Sequence, residues 1–193
     1  MSRLTEITVP QALRERACAG EEGARQSIYA AVAPATFALI RRIVGNRSAA
    51  EDVFQDTMMR FFEHLADFRG EAPLGAWLRQ IAISRCLMYL RSPWRRARLY
   101  IEGEGAHAEP GEGQSATRAL PPEAIDVERA LAALAPTARA VVWMYEVEGY
   151  SHAEIAHAFG RSVSFSKSQL ARAHLKLRAW LEPQGNRTTC TLS

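Results

Sequence analysis

The stretch Ser151-His152-Ala153-Glu154-Ile155-Ala156-His157-Ala158-Phe159-Gly160-Arg161-Ser162-Val163-Ser164-Phe165-Ser166-Lys167-Ser168-Gln169-Leu170-Ala171-Arg172 decides how the chain is read. Ser151 can cap a helix, and Glu154 stands where its carboxylate returns to the cap's backbone N–H. Ile155, Ala156 and Phe159 give that helix one apolar face. Gly160 ends it and permits the positive φ that a tight turn between helices needs. Ser162 can cap the next helix, predicted from about Val163 to Leu181 and closed by Pro183.

A short capped helix, a glycine turn and a longer basic helix have the shape of a helix-turn-helix, whose second helix enters the DNA major groove. Its first turn exposes Ser164, Phe165, Lys167 and Ser168, with Gln169 and Arg172 one turn further. Small hydroxyls and a lysine at a helix N-terminus suit phosphate contacts. Gln169 suits adenine, and Arg172 suits guanine or phosphate. An ordinary helical hairpin with a polar face has the same pattern, so this stretch alone leaves both readings open.

Working outward, helical periodicity runs through almost the whole chain. A helix is expected from about Thr137 to Val147, stopped by Gly149, and a short one from Val127 to near Pro136. Between about Ile101 and Pro122, glycines, prolines and glutamates crowd together with few apolar residues. Such a segment cannot bury enough surface to offset its ordering entropy, so it reads as a flexible linker. Before it, Phe54, Met58, Phe61, Leu65 and Phe68 fall on one helix face, with Ser48 and Glu51 as an expected capping box. A following helix is predicted from Leu74 to about Arg91, stopped at Ser92-Pro93. An earlier one, about Ala24 to Gly45, should be kinked or divided at Pro34. The fold class is therefore all-α: two small helical domains joined by a flexible linker, the C-terminal one holding the helix-turn-helix.

Bulk properties agree with a globular protein. The chain has 193 residues, 48% hydrophobic and 23% charged, which argues against disorder. A net charge of +3 says little about nucleic acid, but its distribution says more. Arg79, Arg85, Arg91, Arg95, Arg96 and Arg98 form one basic run, and Arg161, Lys167, Arg172, Lys176 and Arg178 a second. An acidic stretch, Glu102 to Glu112, separates them. Cys18, Cys86 and Cys190 fall in no CxxC pair and suit free thiols in a reducing cytosol. The first ten residues lack the pattern of a secretory signal, and no apolar run approaches the length needed to span a bilayer. A cytoplasmic location without membrane insertion is expected.

At Glu146-Val147-Glu148-Gly149-Tyr150 through Arg172-Ala173 the chain resembles the −35-reading domain of the RNA polymerase sigma factor family, extracytoplasmic-function (ECF) group. Independently, Ala50-Glu51-Asp52-Val53-Phe54-Gln55-Asp56-Thr57, Phe68-Arg69-Gly70-Glu71, Trp77-Leu78 and Ile81-Ala82 are similar to its −10-reading domain. The resemblance implies an N-terminal extension over 1–24, a −10-reading and polymerase-binding domain over 25–99, and a linker over 100–122. It implies a −35-reading domain over 123–182, with a disordered tail expected over 183–193. Asp52, Gln55 and Asp56 would dock on the β′ clamp of core RNA polymerase, whose β subunit is also an expected partner. Arg69, Gly70 and Glu71 would read a flipped −10 base, while the ring of Phe68 and that of Trp77 read as core. Arg79, Ser84, Arg85, Arg91, Trp94 and Arg95 would line a track for separated strands. Arg161, Ser164, Phe165, Lys167, Ser168, Gln169 and Arg172 would contact −35 DNA.

The chain departs from the family's pattern at Ser84 and Met88, where asparagine and aspartate are common, and at Phe165, Ser166 and Gln169. Ser84 takes away an asparagine base contact. Phe165 either packs inward or touches a thymine methyl. What the resemblance implies, then, is a sigma factor that joins core polymerase, recognises −10 and −35 promoter elements and helps melt DNA. Promoter DNA and an anti-sigma factor are the further partners, in a setting such as stress response. The rival is a one-component helix-turn-helix regulator acting as a homodimer, though no heptad or apolar dimer helix stands out. Enzymatic readings fail on geometry. His152 and His157 point about 140° apart on a helix and cannot share a metal with Glu154 unaided. No cofactor, metal or intrinsic catalysis is expected.

Overall fold

Residues 3–92 and 129–181 are described by a computed structural model. The linker expected over 100–122, the residues Trp94 and Arg95, and the tail 183–193 with Cys190 lie outside the described residues. A 3₁₀ turn, Arg3–Glu6, precedes α1 (Gln11–Cys18), α2 (Glu22–Val44), α3 (Arg47–Glu63) and α4 (Leu74–Arg91). Further along the chain come a helical turn at 129–132, α5 (Pro136–Val142), a π-helical turn (Trp143–Val147), α6 (His152–Phe159) and α7 (Val163–Leu181). No strand occurs among the described residues, and the all-α class holds.

The centre of the N-terminal unit is α2, which touches α1, α3 and α4. Ile28, Val32, Leu39, Ile40, Ile43 and Val44 are buried along it. It runs through Pro34 undivided. The division expected there does not occur, because packing on three sides outweighs one lost backbone donor. By length and composition α2 is also apolar enough to cross a bilayer, contrary to the expectation that no run approaches that length. Its long aliphatic side chains are instead buried in the bundle.

The stripe on α3 packs as its spacing predicts. Met58, Phe61 and the following Leu65 are buried, with Phe54 and Phe68 half-buried at the ends. The cap is different. Gly45, at φ +86°, ends α2 so abruptly that Asn46 becomes the N-cap, its side chain accepting from the Ala49 N–H at 3.0 Å. Ser48 therefore lies inside the first turn, and Glu51 pairs with Arg47 at 2.9 Å rather than closing a capping box.

The first residues of the chain are part of this packing. Leu4 is fully buried against α4, and the Gly75 N–H donates to the Ile7 carbonyl at 3.0 Å. A Cβ on Gly75 would stand 1.8 Å from the Leu4 carbonyl oxygen, so the approach requires glycine. In the C-terminal unit α7 packs on α5 and α6 around Val141, Met144, Ile155, Phe159, Leu170 and Ala173. The helix expected over Thr137 to Val147 begins at Pro136, and its last five residues wind as π-helix. The two units share one continuous apolar core, with α5 against α2 and α6 against α4.

Candidate nucleic-acid interface

The start of α6 and the turn from α6 into α7 carry the caps expected from the sequence. Ser151 Oγ accepts from the Glu154 N–H at 3.2 Å and donates to Glu154 Oε2, which also accepts the Ser151 N–H at 2.8 Å. These bonds from Ser151 hold the Glu154 carboxyl below the usual carboxylate range. Gly160 takes the left-handed conformation, φ 61° and ψ 42°, and the Arg161 N–H returns to the Ala156 carbonyl. Ser162 Oγ then accepts the Phe165 N–H at 3.3 Å.

So capped, α7 presents Ser164, Lys167, Ser168 and Arg172 to solvent beside exposed Arg161, with Gln169 half-buried. Arg172 donates its Nε to the Ser168 carbonyl at 3.1 Å. Of the two options for Phe165, packing inward is the one observed: its half-buried ring lies 5.8 Å from that of Phe159. One contact escaped sequence reading. Ser166 is fully buried and hydrogen-bonded to His152 Nδ1 at 3.0 Å, while Tyr145 stacks on the imidazole at 4.5 Å. The available signal was a serine standing where the apolar stripe of α7 continues.

On the N-terminal unit, Asp52, Gln55 and Asp56 are exposed on one face of α3, opposite the phenylalanine stripe. Arg69, Gly70 and Glu71 are exposed in the loop before α4, with Gly70 at φ +78°. The Phe68 ring sits 5.3 Å from that of Trp77, which in turn lies 5.6 Å from Phe61, so both rings belong to the core. Between α3 and α4 runs an open groove of about 660 Å³, lined in part by Arg60, His64, Trp77, Ser84 and Arg85. Arg85 is held there by Asp56 at 3.2 Å, which joins a residue of the expected polymerase face to one of the expected DNA track. Among the described residues no group of three His, Cys, Asp or Glu could hold a metal ion.

Family models match at both units: Sigma-70 region 2 over residues 28–96 and Sigma-70 region 4 over residues 124–177. The chain is 31% identical to the ECF RNA polymerase sigma factor EcfG of Rhodopseudomonas palustris, over 83% of this chain and 86% of EcfG. The chain belongs to the ECF sigma factor family. Members of this family are transcription initiation factors rather than enzymes. ECF sigma factor SigM of Mycobacterium tuberculosis is 32% identical over 66% of this chain, which spans only 62% of SigM's length. The sigma factor RpoE of Bartonella quintana, solved in complex with the anti-sigma factor NepR, has the same fold at a TM-score of 0.54. That likeness covers 82% of this chain and 97% of RpoE at 24% identity.

Within this sigma factor, regions 2 and 4 touch through charged residues. Arg79 of α4 pairs through Nε with the Glu148 carboxylate, and its Nη2 donates to the Glu148 carbonyl at 2.8 Å. The Glu148 side chain is fully buried, and that of Arg79 is 16% exposed. Trp143 Nε1 donates to the other Glu148 oxygen at 3.0 Å. In an α-helix residues five apart diverge by about 140°, but a π turn stacks them, which brings Trp143 and Glu148 to one side. Arg79 also lies over the Tyr150 ring, and Arg42 over the Trp143 ring. At the far end Arg91 donates to the Ala158 carbonyl at 3.1 Å. A cavity of about 230 Å³, lined by Ser84, Leu87, Tyr150 and Ala158 among others, lies between these contacts.

Proposed function

We propose that this protein binds core RNA polymerase, reads −10 and −35 promoter elements and helps separate the DNA strands to start transcription. The reading rests above all on one observation. Two family units stand in the family's order, and the second holds a fully capped helix-turn-helix whose leading turns expose Ser164, Lys167, Ser168 and Arg172. Hydroxyls, a free helix start and cations there fit duplex phosphates and base edges. Asp52, Gln55 and Asp56 are assigned to the β′ clamp, with the β subunit as a further contact. Arg69, Gly70, Glu71, Ser84 and Arg85 are assigned to −10 DNA. An anti-sigma protein is an expected partner, as NepR is for the Bartonella RpoE. The site of action is the cytoplasm.

Run-off transcription with purified bacterial core polymerase on a genomic promoter library tests this. Specific transcripts that require the protein are expected. Their absence, together with tight binding of a palindromic duplex by the protein alone, would establish the homodimeric regulator instead.

A further inference from the structure

Arg14 lies outside every site assigned so far, yet its guanidinium stands at the −10-reading loop. Its Cζ lies 5.1 Å from the centroid of the Phe68 ring, which packs in turn on Trp77 at 5.3 Å. A Cβ on Gly70, the glycine at φ +78°, would meet Arg14 Nη1 at 3.6 Å, so the guanidinium borders the loop where the loop has no side chain. The placement is anchored. Ala17, one turn along α1, is fully buried, and its carbonyl accepts from Arg25 Nε of α2 at 3.2 Å. Helix α1 also packs against the 3₁₀ turn Leu65–Asp67 that leads into the loop.

The charge of Arg14 is not neutralised within the described residues, where no carboxylate pairs with it and no acceptor takes its guanidinium N–H groups. Asp67, in the adjoining turn, is taken by His64 at 2.8 Å, and Arg16 of the same helix is paired with Glu21. A guanidinium fixed over an aromatic ring with its N–H groups open suits a phosphate, which it can grip through two parallel bonds. We propose that Arg14 is a DNA-binding residue of the −10 reader, and that its ligand is a backbone phosphate of the displaced strand beside the base held by Arg69, Gly70 and Glu71. The N-terminal segment thereby takes part in promoter contact through α1. The proposal rests on the function proposed above, because the loop beside Arg14 is the one assigned to −10 DNA. A phosphate contact positions the strand and leaves sequence to the loop. Arg14 therefore sets how tightly the −10 element is held, not which bases it contains.

The test uses holoenzyme assembled from the full chain and core polymerase, on fork-junction DNA from a promoter found in the run-off screen and single-stranded through its −10 element. Arg14→Met keeps a stem over Phe68 and drops the charge. It should weaken binding about tenfold and lower the slope of log affinity against log salt by about 0.7. Arg14→Lys should restore the slope. Arg16→Met removes the same charge from the same helix at a paired position and should change neither quantity. Neutral methylphosphonates, placed one at a time along the displaced strand, locate the contact. One position should weaken wild-type binding and have no effect on Arg14→Met. That comparison is internal to each variant, so it reads the contact even if Arg14→Met folds less well. Unchanged affinity in Arg14→Met, or a loss with the slope unchanged and no methylphosphonate position silenced, would overturn the proposal and leave Arg14 a packing residue. If the run-off screen yields no promoter, the sigma reading itself fails and the Arg14 assignment falls with it. Selective binding of promoter DNA with a silent Arg14 sinks only the latter.

Discussion

Ser151 serves α6 twice, accepting a backbone N–H and supplying two donors to Glu154. Because folding lowers the Glu154 pKa, the capping box stabilises the protein above the pKa of the unfolded chain. That contribution is lost as the pH falls through the lower, folded-state value. Ser151→Ala should therefore raise the Glu154 pKa toward the ordinary carboxylate range in an NMR titration, and lower the melting temperature at pH 7 more than at pH 3. Ser151, Glu154, Gly160 and Ser162 were all legible in the sequence, because each acts on a neighbour within four residues. Arg79 and Glu148 were not legible as a pair: they lie 69 residues apart, and neither carries a local signal of the other. Nor did the sequence mark Trp143 as a partner of Glu148, since a helix wound regularly would hold them on different sides.

Helix ends show where local pattern suffices and where it does not. The limits of α4 and α7 agree with the sequence because Pro73, Ser92-Pro93, Ser162 and Pro183 leave one solution each. At the start of α3, Asn46 and Ser48 are both good caps, and only the sharp end of α2 at Gly45 selects Asn46. Asn46→Ala should cost about 1 kcal/mol by chemical denaturation, and Ser48→Ala close to nothing. The N-terminal segment was read as an extension because the family resemblance begins only near residue 25, yet Leu4 is a core residue. Gly75→Ala should force that segment off α4. A loss of about 1–3 kcal/mol is expected, with proteolytic cleavage ahead of Gln11 faster than in the wild type.

For the molecule as a whole, charge placement matters more than net charge. A formal +3 would bind DNA weakly if spread evenly, whereas Lys167 and Arg172 are both exposed within the first three turns of α7. Replacing either by alanine should weaken binding of a −35 duplex by polymerase holoenzyme. It should also reduce the slope of log affinity against log salt by about one. A loss of affinity with an unchanged slope would assign the residue to packing instead. At this scale the family resemblance was sound, and the expected pair of helical units is present. That their apolar cores join was not legible, because the periodicity of α2 and α5 marks an apolar face without marking which helix covers it.

The π-helical turn at Trp143–Val147 acts as a gear tooth between the two halves of the protein. It holds one residue more than the α-helix that would otherwise continue from α5. Deleting a single residue there would let α5 run on as regular α-helix of nearly the same turn and rise, so the helix-turn-helix would keep both its internal hydrogen bonds and its aim. What would be lost is the offset that sets the Trp143 indole against the Glu148 carboxylate. Among relatives of this chain, a one-residue deletion at this point would therefore remove a partner of the Glu148 carboxylate in a single mutational step, with no change to the exposed side chains of α7.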